Sequence, residues 1–133
     1  MNSQSSNNHM DCGEQIVTAC LVMNVSFPVI KSLFQEKEIT VFDYSNGSEK
    51  ELMVEIRFEN ATLCCLFDEK QVCDSAFLFL DYPADVLHYI KYCNEGYLYD
   101  YILSAWIIKD CCIQLQFQDK ECRFLFLPKN TVF

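Results

Sequence analysis

The chain has 133 residues, 51% of them hydrophobic and 14% aromatic, which is enough to build one domain around a real core without disulfides or a metal. Ten Lys and Arg stand against 19 Asp and Glu, a formal net charge of −9. Such a surface repels nucleic-acid phosphate and anionic lipid, attracts basic protein, and keeps a greasy small domain soluble.

Residues 1–12 are rich in Asn, Ser and Gln and read as a disordered tail, and residues 13–133 read as a single globular domain. His9-Met10 also fits a cloning junction. Residues 15–24 (QIVTACLVMN) suit a buried strand, with a short buried helix as the alternative. Phe27-Pro28 opens a helix, since Pro suits the first helical position, and Val29, Ile30, Leu33 and Phe34 form its apolar face.

From Glu38 the period becomes two. Ile39 and Val41 share one face of a strand ending near Tyr44, and Asn46-Gly47 signals a hairpin. Leu52, Val54, Ile56 and Phe58 alternate with Met53, Glu55, Arg57 and Glu59, a strand with its apolar side inward. Further strands are expected at Thr62–Phe67 and Ala76–Leu80. A helix over 83–95 starts at Pro83 and ends before Gly96. Leu98–Ile108 reads as one long strand. Ile113–Gln118, with one wet face, and Cys122–Leu127 complete a meander.

Nine cysteines, an odd number without a C-x-x-C, fit reduced thiols of a cytoplasmic protein better than a disulfide framework. The adjacent pairs Cys64-Cys65 and Cys111-Cys112 lie in strands, where neighbours point to opposite faces, so each pair sends one thiol into the core. The sequons at Asn24, Asn46 and Asn60 matter only on a secretory route. The first fifteen residues lack the Lys or Arg of a signal peptide, so the sequons read as chance. The apolar run Ile16–Met23 is too short to span a bilayer.

No G-x-S-x-G, G-x-G-x-x-G or P-loop occurs, and three glycines leave little for a phosphate-cradling loop. His88, on the expected helix, has Asp85 and Lys91 at helical spacing and reads as a surface histidine. No catalytic residue, metal site or cofactor is expected. The segment 81–101 mixes tyrosines with acids, and Tyr is enriched at interfaces. Asp81, Tyr82, Asp85, Tyr89, Tyr92, Glu95, Tyr99 and Asp100 are therefore the candidate contacts for a basic partner. Ordinary packing at the edge of a core explains the same pattern.

The expected fold is α+β: a mostly antiparallel sheet of about six strands, with the 83–95 helix on one face and the 28–37 helix beside it. In size, acidity, cysteine usage and lack of catalytic groups, the chain resembles small bacterial toxin-immunity proteins, including those of contact-dependent growth inhibition systems. The resemblance is one of type over the whole chain. It implies a tight complex with a cognate toxin domain, often a basic nuclease, whose active site is blocked. A secreted or viral interaction protein with disulfides is the alternative, and an enzyme with an unrecognised site is a third class.

Overall fold

Eight strands run antiparallel in a single sheet: β1 (Glu38–Asp43), β2 (Leu52–Arg57), β3 (Ala61–Phe67), β4 (Cys73–Leu80), β5 (Leu98–Asp100), β6 (Ala105–Ile108), β7 (Cys111–Gln118) and β8 (Glu121–Pro128). Their order is β1-β2-β3-β4-β8-β7-β6-β5. Helices α1 (Cys12–Leu21) and α2 (Phe27–Leu33) precede the sheet, and α3 (Val86–Gly96) links β4 to β5. This computed structural model describes residues 11–44 and 51–129. The tail reading for residues 1–10 and the turn at Asn46-Gly47 lie outside that range.

The α+β class and the antiparallel sheet are as expected, but the strands number eight rather than about six. The strand expected over Leu98–Ile108 is in fact two strands. Asp100 Oδ1 accepts from the backbone N–H groups of Ile102 and Leu103, at 2.9 and 3.0 Å, and Ser104 takes φ 53°. An Asx turn with a left-handed residue thus folds the run back on itself, pairing Tyr99 with Trp106.

Of residues 15–24, those up to Leu21 belong to a helix, the alternative to a strand, and 22–24 form the turn after it. Asp11 caps α1 in a capping box: its side chain accepts from Glu14 N at 2.8 Å, and Glu14 Oε1 accepts from Asp11 N at 3.3 Å. Asp11 and Cys12 therefore belong to the domain and not to a tail. α2 ends at Leu33, and of its expected apolar face Ile30 and Phe34 are buried while Val29 and Leu33 are exposed. α1, not α2, packs beside α3.

One cluster forms the core between helices and sheet. Ile16, Ala19, Ile30, Tyr89 and Cys93 from the helical side meet Val54, Ile56, Leu63, Cys65, Leu78, Trp106, Ile113, Phe124 and Phe126 from the sheet. Burial of this apolar area, worth about 25 cal/mol per Å², is the principal source of stability. Of the adjacent thiols, Cys65 and Cys111 join this cluster. Cys64 and Cys112 are also buried, although they point to the sheet's other side.

Inside the apolar core sits a closed ring of three side-chain hydrogen bonds. Gln15 Nε2 donates to Asn60 Oδ1 at 2.8 Å, Asn60 Nδ2 donates to Tyr89 Oη at 3.3 Å, and Tyr89 Oη donates to Gln15 Oε1 at 2.5 Å. Gln15 has no exposure and Tyr89 has 1%. The ring ties α1, the β2–β3 turn and α3 to one another. Because Asn60 is fully engaged in it, its sequon is not available in the folded chain.

Tyr89→Phe keeps the ring volume but takes a partner from a fully buried amide. The expected loss is about 1–3 kcal/mol, read as a lower urea midpoint at unchanged m-value.

Candidate protein-binding site

The eight residues singled out in segment 81–101 do not form one surface. Asp81 lies at the end of β4 and is held by Arg57: Arg57 Nη1 donates to Asp81 Oδ1 at 2.8 Å, and Nη2 closes a second bond to Oδ2. The Arg57 guanidinium holds the Asp81 carboxyl below the usual carboxylate range. Asp81 thus already has an internal partner. Tyr82 beside it is exposed, and the half-buried Asp85 accepts from Asn60 Nδ2 at 3.3 Å.

Tyr89 is a core residue, so it offers a partner no surface. Burial pushes its hydroxyl up to about 12. Tyr92 packs over Gly13 so closely that a Cβ there would stand 2.5 Å from its ring, and it lines a depression of about 490 Å³ along α1 with Asp11, Glu14, Val17 and Thr18. Glu95 is exposed on the last turn of α3, and Asp100 is spent on holding the β5–β6 turn.

Tyr99 is the member of the group that leads to a built site. Its ring meets Tyr101 at 5.0 Å and Trp106 at 5.1 Å, both edge to face. Trp106 Nε1 donates to Asn94 Oδ1 at 2.8 Å, fixing the indole against α3. Together with Ile90, Leu115 and Phe117 these rings line a groove of about 400 Å³. Tyr101 at its rim is 86% exposed, and the next residue of the turn, Ile102, is 94% exposed. The turn that carries them is rigid: besides the two bonds to Asp100, Gln114 Nε2 donates to Leu103 O at 3.1 Å.

Trp106, Tyr101, Ile102, Leu115 and Phe117 were not among the sequence candidates. The groove depends on the β5–β6 hairpin, which periodicity alone reads as one strand. An Asp100 two residues before Ile102 was the local sign of the turn.

The titratable groups show no activated nucleophile among the described residues. Burial raises the thiols of Cys64 to about 11 and Cys93 to about 12, with Glu55 adding to the shift of Cys64 and Cys12 to that of Cys93. Cys65 and Cys20 are raised further, each by a hydrogen bond to a second thiol (Cys73 and Cys111) and then by burial. Cys12, half-buried, is raised by burial and by Asp11; its Sγ donates to the carbonyl of His88 at 3.7 Å, not to the imidazole. A nucleophilic Cys needs the opposite shift. No group of three or more His, Cys, Asp or Glu side chains is placed to hold a metal among the described residues, and no described helix is long and apolar enough to cross a membrane.

Set beside family models, curated proteins and solved structures, the chain matches none of them.

All nine cysteines are free. Thiol titration of the unfolded protein should therefore count nine groups, while the native protein reacts slowly. The raised thiols favour the folded state while neutral. Their contribution is complete below the ordinary thiol value of 9.0 and is lost as pH climbs toward 11–12. Denaturation midpoints should accordingly fall above pH 9, and a protein whose stability is already falling between pH 7 and 8 would contradict this account.

Proposed function

We propose that the protein is an acidic protein-binding module and that its β5–β6 groove is where the partner docks. The observation that carries the reading is the pairing of a rigid turn with fully presented apolar tips, Tyr101 and Ile102, above a pocket floored by Tyr99 and Trp106. Aromatic anchors beside a preformed pocket are what concentrates binding energy at interfaces. Rigidity lowers the ordering cost of association.

The charge points to the kind of partner. A net charge of −9 steers a basic protein toward the chain, and Glu95 stands one residue from Asn94 at the groove. Taken with the resemblance to toxin-immunity proteins, the reading is an immunity protein that binds and blocks a cognate basic toxin domain, with no catalysis of its own. Blocking needs occupancy and not chemistry. Nine free thiols favour a reducing compartment, the cytoplasm.

The test is binding to a basic toxin domain encoded beside the gene. Tyr101→Ala with Ile102→Ala should weaken the complex by roughly 30-fold or more, mainly through faster dissociation. Glu95→Lys should slow association at low salt and much less at high salt. Glu69→Lys, on the distant β3–β4 turn, should change little, and so should His88→Ala. Equal small effects at all these positions would place the partner elsewhere.

A further inference from the structure

Four aromatic side chains surround the β5–β6 groove, and two of them stand largely in solvent: Tyr101 is 86% exposed and Phe117 is 69% exposed. Tyr99 is half-buried and Trp106 nearly closed off, so these two make the deeper part. The ring of Tyr99 is turned by 74° from that of Tyr101 and by 71° from that of Trp106. Rings set so steeply cannot stack their faces on one another, so the groove they line presents ring faces as well as edges. An aromatic face carries the negative lobe of the ring quadrupole and attracts a cation within about 6 Å of its centroid.

Elsewhere the chain uses such faces itself. The Arg123 guanidinium lies 4.8 Å from the Phe77 centroid, and the Lys31 and Lys37 amino groups lie 6.0 and 5.9 Å from those of Phe27 and Phe58. Among the described residues, no cation of the chain covers the four rings of the groove. The charges around it favour one from outside. Directly beside lining residues in the chain stand Glu95 and Asp100 against Lys91. Asp100 accepts two backbone N–H groups, which do not neutralise its charge. The β7–β8 turn beyond Phe117 adds Asp119 and Lys120, which cancel. Glu121 pairs with Gln118, one residue past Phe117, and so points to the other side of the sheet. The balance is slightly negative.

We propose that the groove is a cation site that receives an arginine side chain of the basic partner. The inference rests on the docking reading above and names what the groove takes in. A guanidinium is planar and weakly hydrated, so it can lie on an aromatic face while its N–H groups point outward in its own plane. The groove supplies acceptors for those donors. Asn94 Oδ1 takes one bond from Trp106 Nε1 and keeps a second lone pair, and Ser104 brings a hydroxyl. A lysine ammonium is more strongly hydrated and loses more on leaving water for the rings. A purely aliphatic side chain would desolvate the amide and hydroxyl without replacing their bonds to water. The volume of about 400 Å³ lies in the range of sites that enclose a small ligand.

Trp106 is the one tryptophan of the chain, so its fluorescence reports on the groove directly. Titration with a blocked glycine-arginine-glycine peptide should change that fluorescence saturably. The same peptide with citrulline in place of arginine has nearly the same shape and no charge, and it should bind roughly fivefold more weakly or worse. Tyr101→Leu and Phe117→Leu keep apolar bulk but remove a ring face. Each should weaken the arginine peptide by roughly threefold or more, while Tyr101→Phe binds it like the wild type. Both positions are exposed, so these changes leave the fold intact. Leu87→Ala, exposed on α3, should not alter binding. Equal binding of the arginine and citrulline peptides would overturn the proposal and leave an apolar pocket, with the docking reading untouched. A lysine peptide that binds as tightly as the arginine one, or no saturable binding of either charged peptide, would overturn it as well. The docking reading fails by a separate result: a toxin complex indifferent to Tyr101→Ala with Ile102→Ala, whatever the peptides do.

Discussion

Everything in this fold rests on the seam between β4 and β8. Four residue pairs, Ala76 with Phe126 through Phe79 with Arg123, join two four-stranded meanders that otherwise pair only within themselves. Each meander contributes its last strand to the seam, so neither of these two strands is left as an edge. The edges fall instead to β1 and to the three-residue β5, and a short strand is one of the ways a protein blunts an edge. The pairing also sets parity. A slip of one residue would turn Phe124 and Phe126 away from the helices and bring Leu125 and Arg123 under them. The seam therefore decides which large side chains make the core and which make the outer face.

Parity explains how the strand cysteines are tolerated, and Cys93 of α3 joins those in the core. Cys65, Cys73, Cys93 and Cys111 fill the core as small apolar residues, while Cys64 and Cys112 occupy low points between larger side chains on the opposite face. The thiol is large enough to fill such a gap, and burial leaves it neutral and unreactive. The Gln15–Asn60–Tyr89 ring is the one place where the described core becomes polar at a fully buried amide. Every bond of that ring crosses between elements distant in sequence, so it specifies how α1 and α3 sit over the β2–β3 turn. A purely apolar contact would tolerate sliding, whereas this ring satisfies its members in one arrangement.

Where one physical signal dominates a segment, it is legible without coordinates. Period-two alternation from Leu52 to Phe58 locates β2 and its inward face, and the Pro83 and Gly96 pair brackets α3 within a turn or so. Competing signals defeat the reading elsewhere. The β-branched and apolar run in α1 imitates a strand, and the capping box that marks the helix start, Asp11 with Glu14, straddles the boundary drawn between tail and domain. Val29 and Leu33 keep helical spacing yet face solvent, because α2 is only seven residues long and stops before its stripe can dock. Tyr89 shares its composition and spacing with the exposed tyrosines. Only the buried Gln15, 74 residues away in sequence, separates it from them. The groove is less visible still, since it needs a hairpin, a helix end and β7 brought together.

The −9 charge and the exposed apolar side chains make opposite demands on association. Long-range attraction by acidic groups sets how fast a basic partner arrives and tells little about where it stays. Exposed apolar side chains are spread over Leu21, Leu33 and Leu87 of the helices as well as Tyr101 and Ile102 of the β5–β6 turn. On the far side the two arginines are tied down, Arg57 by Asp81 and Arg123 by Gln116, Gln118 and the rings of Phe77 and Phe79. Both guanidinium groups are thereby engaged by side chains of the sheet itself.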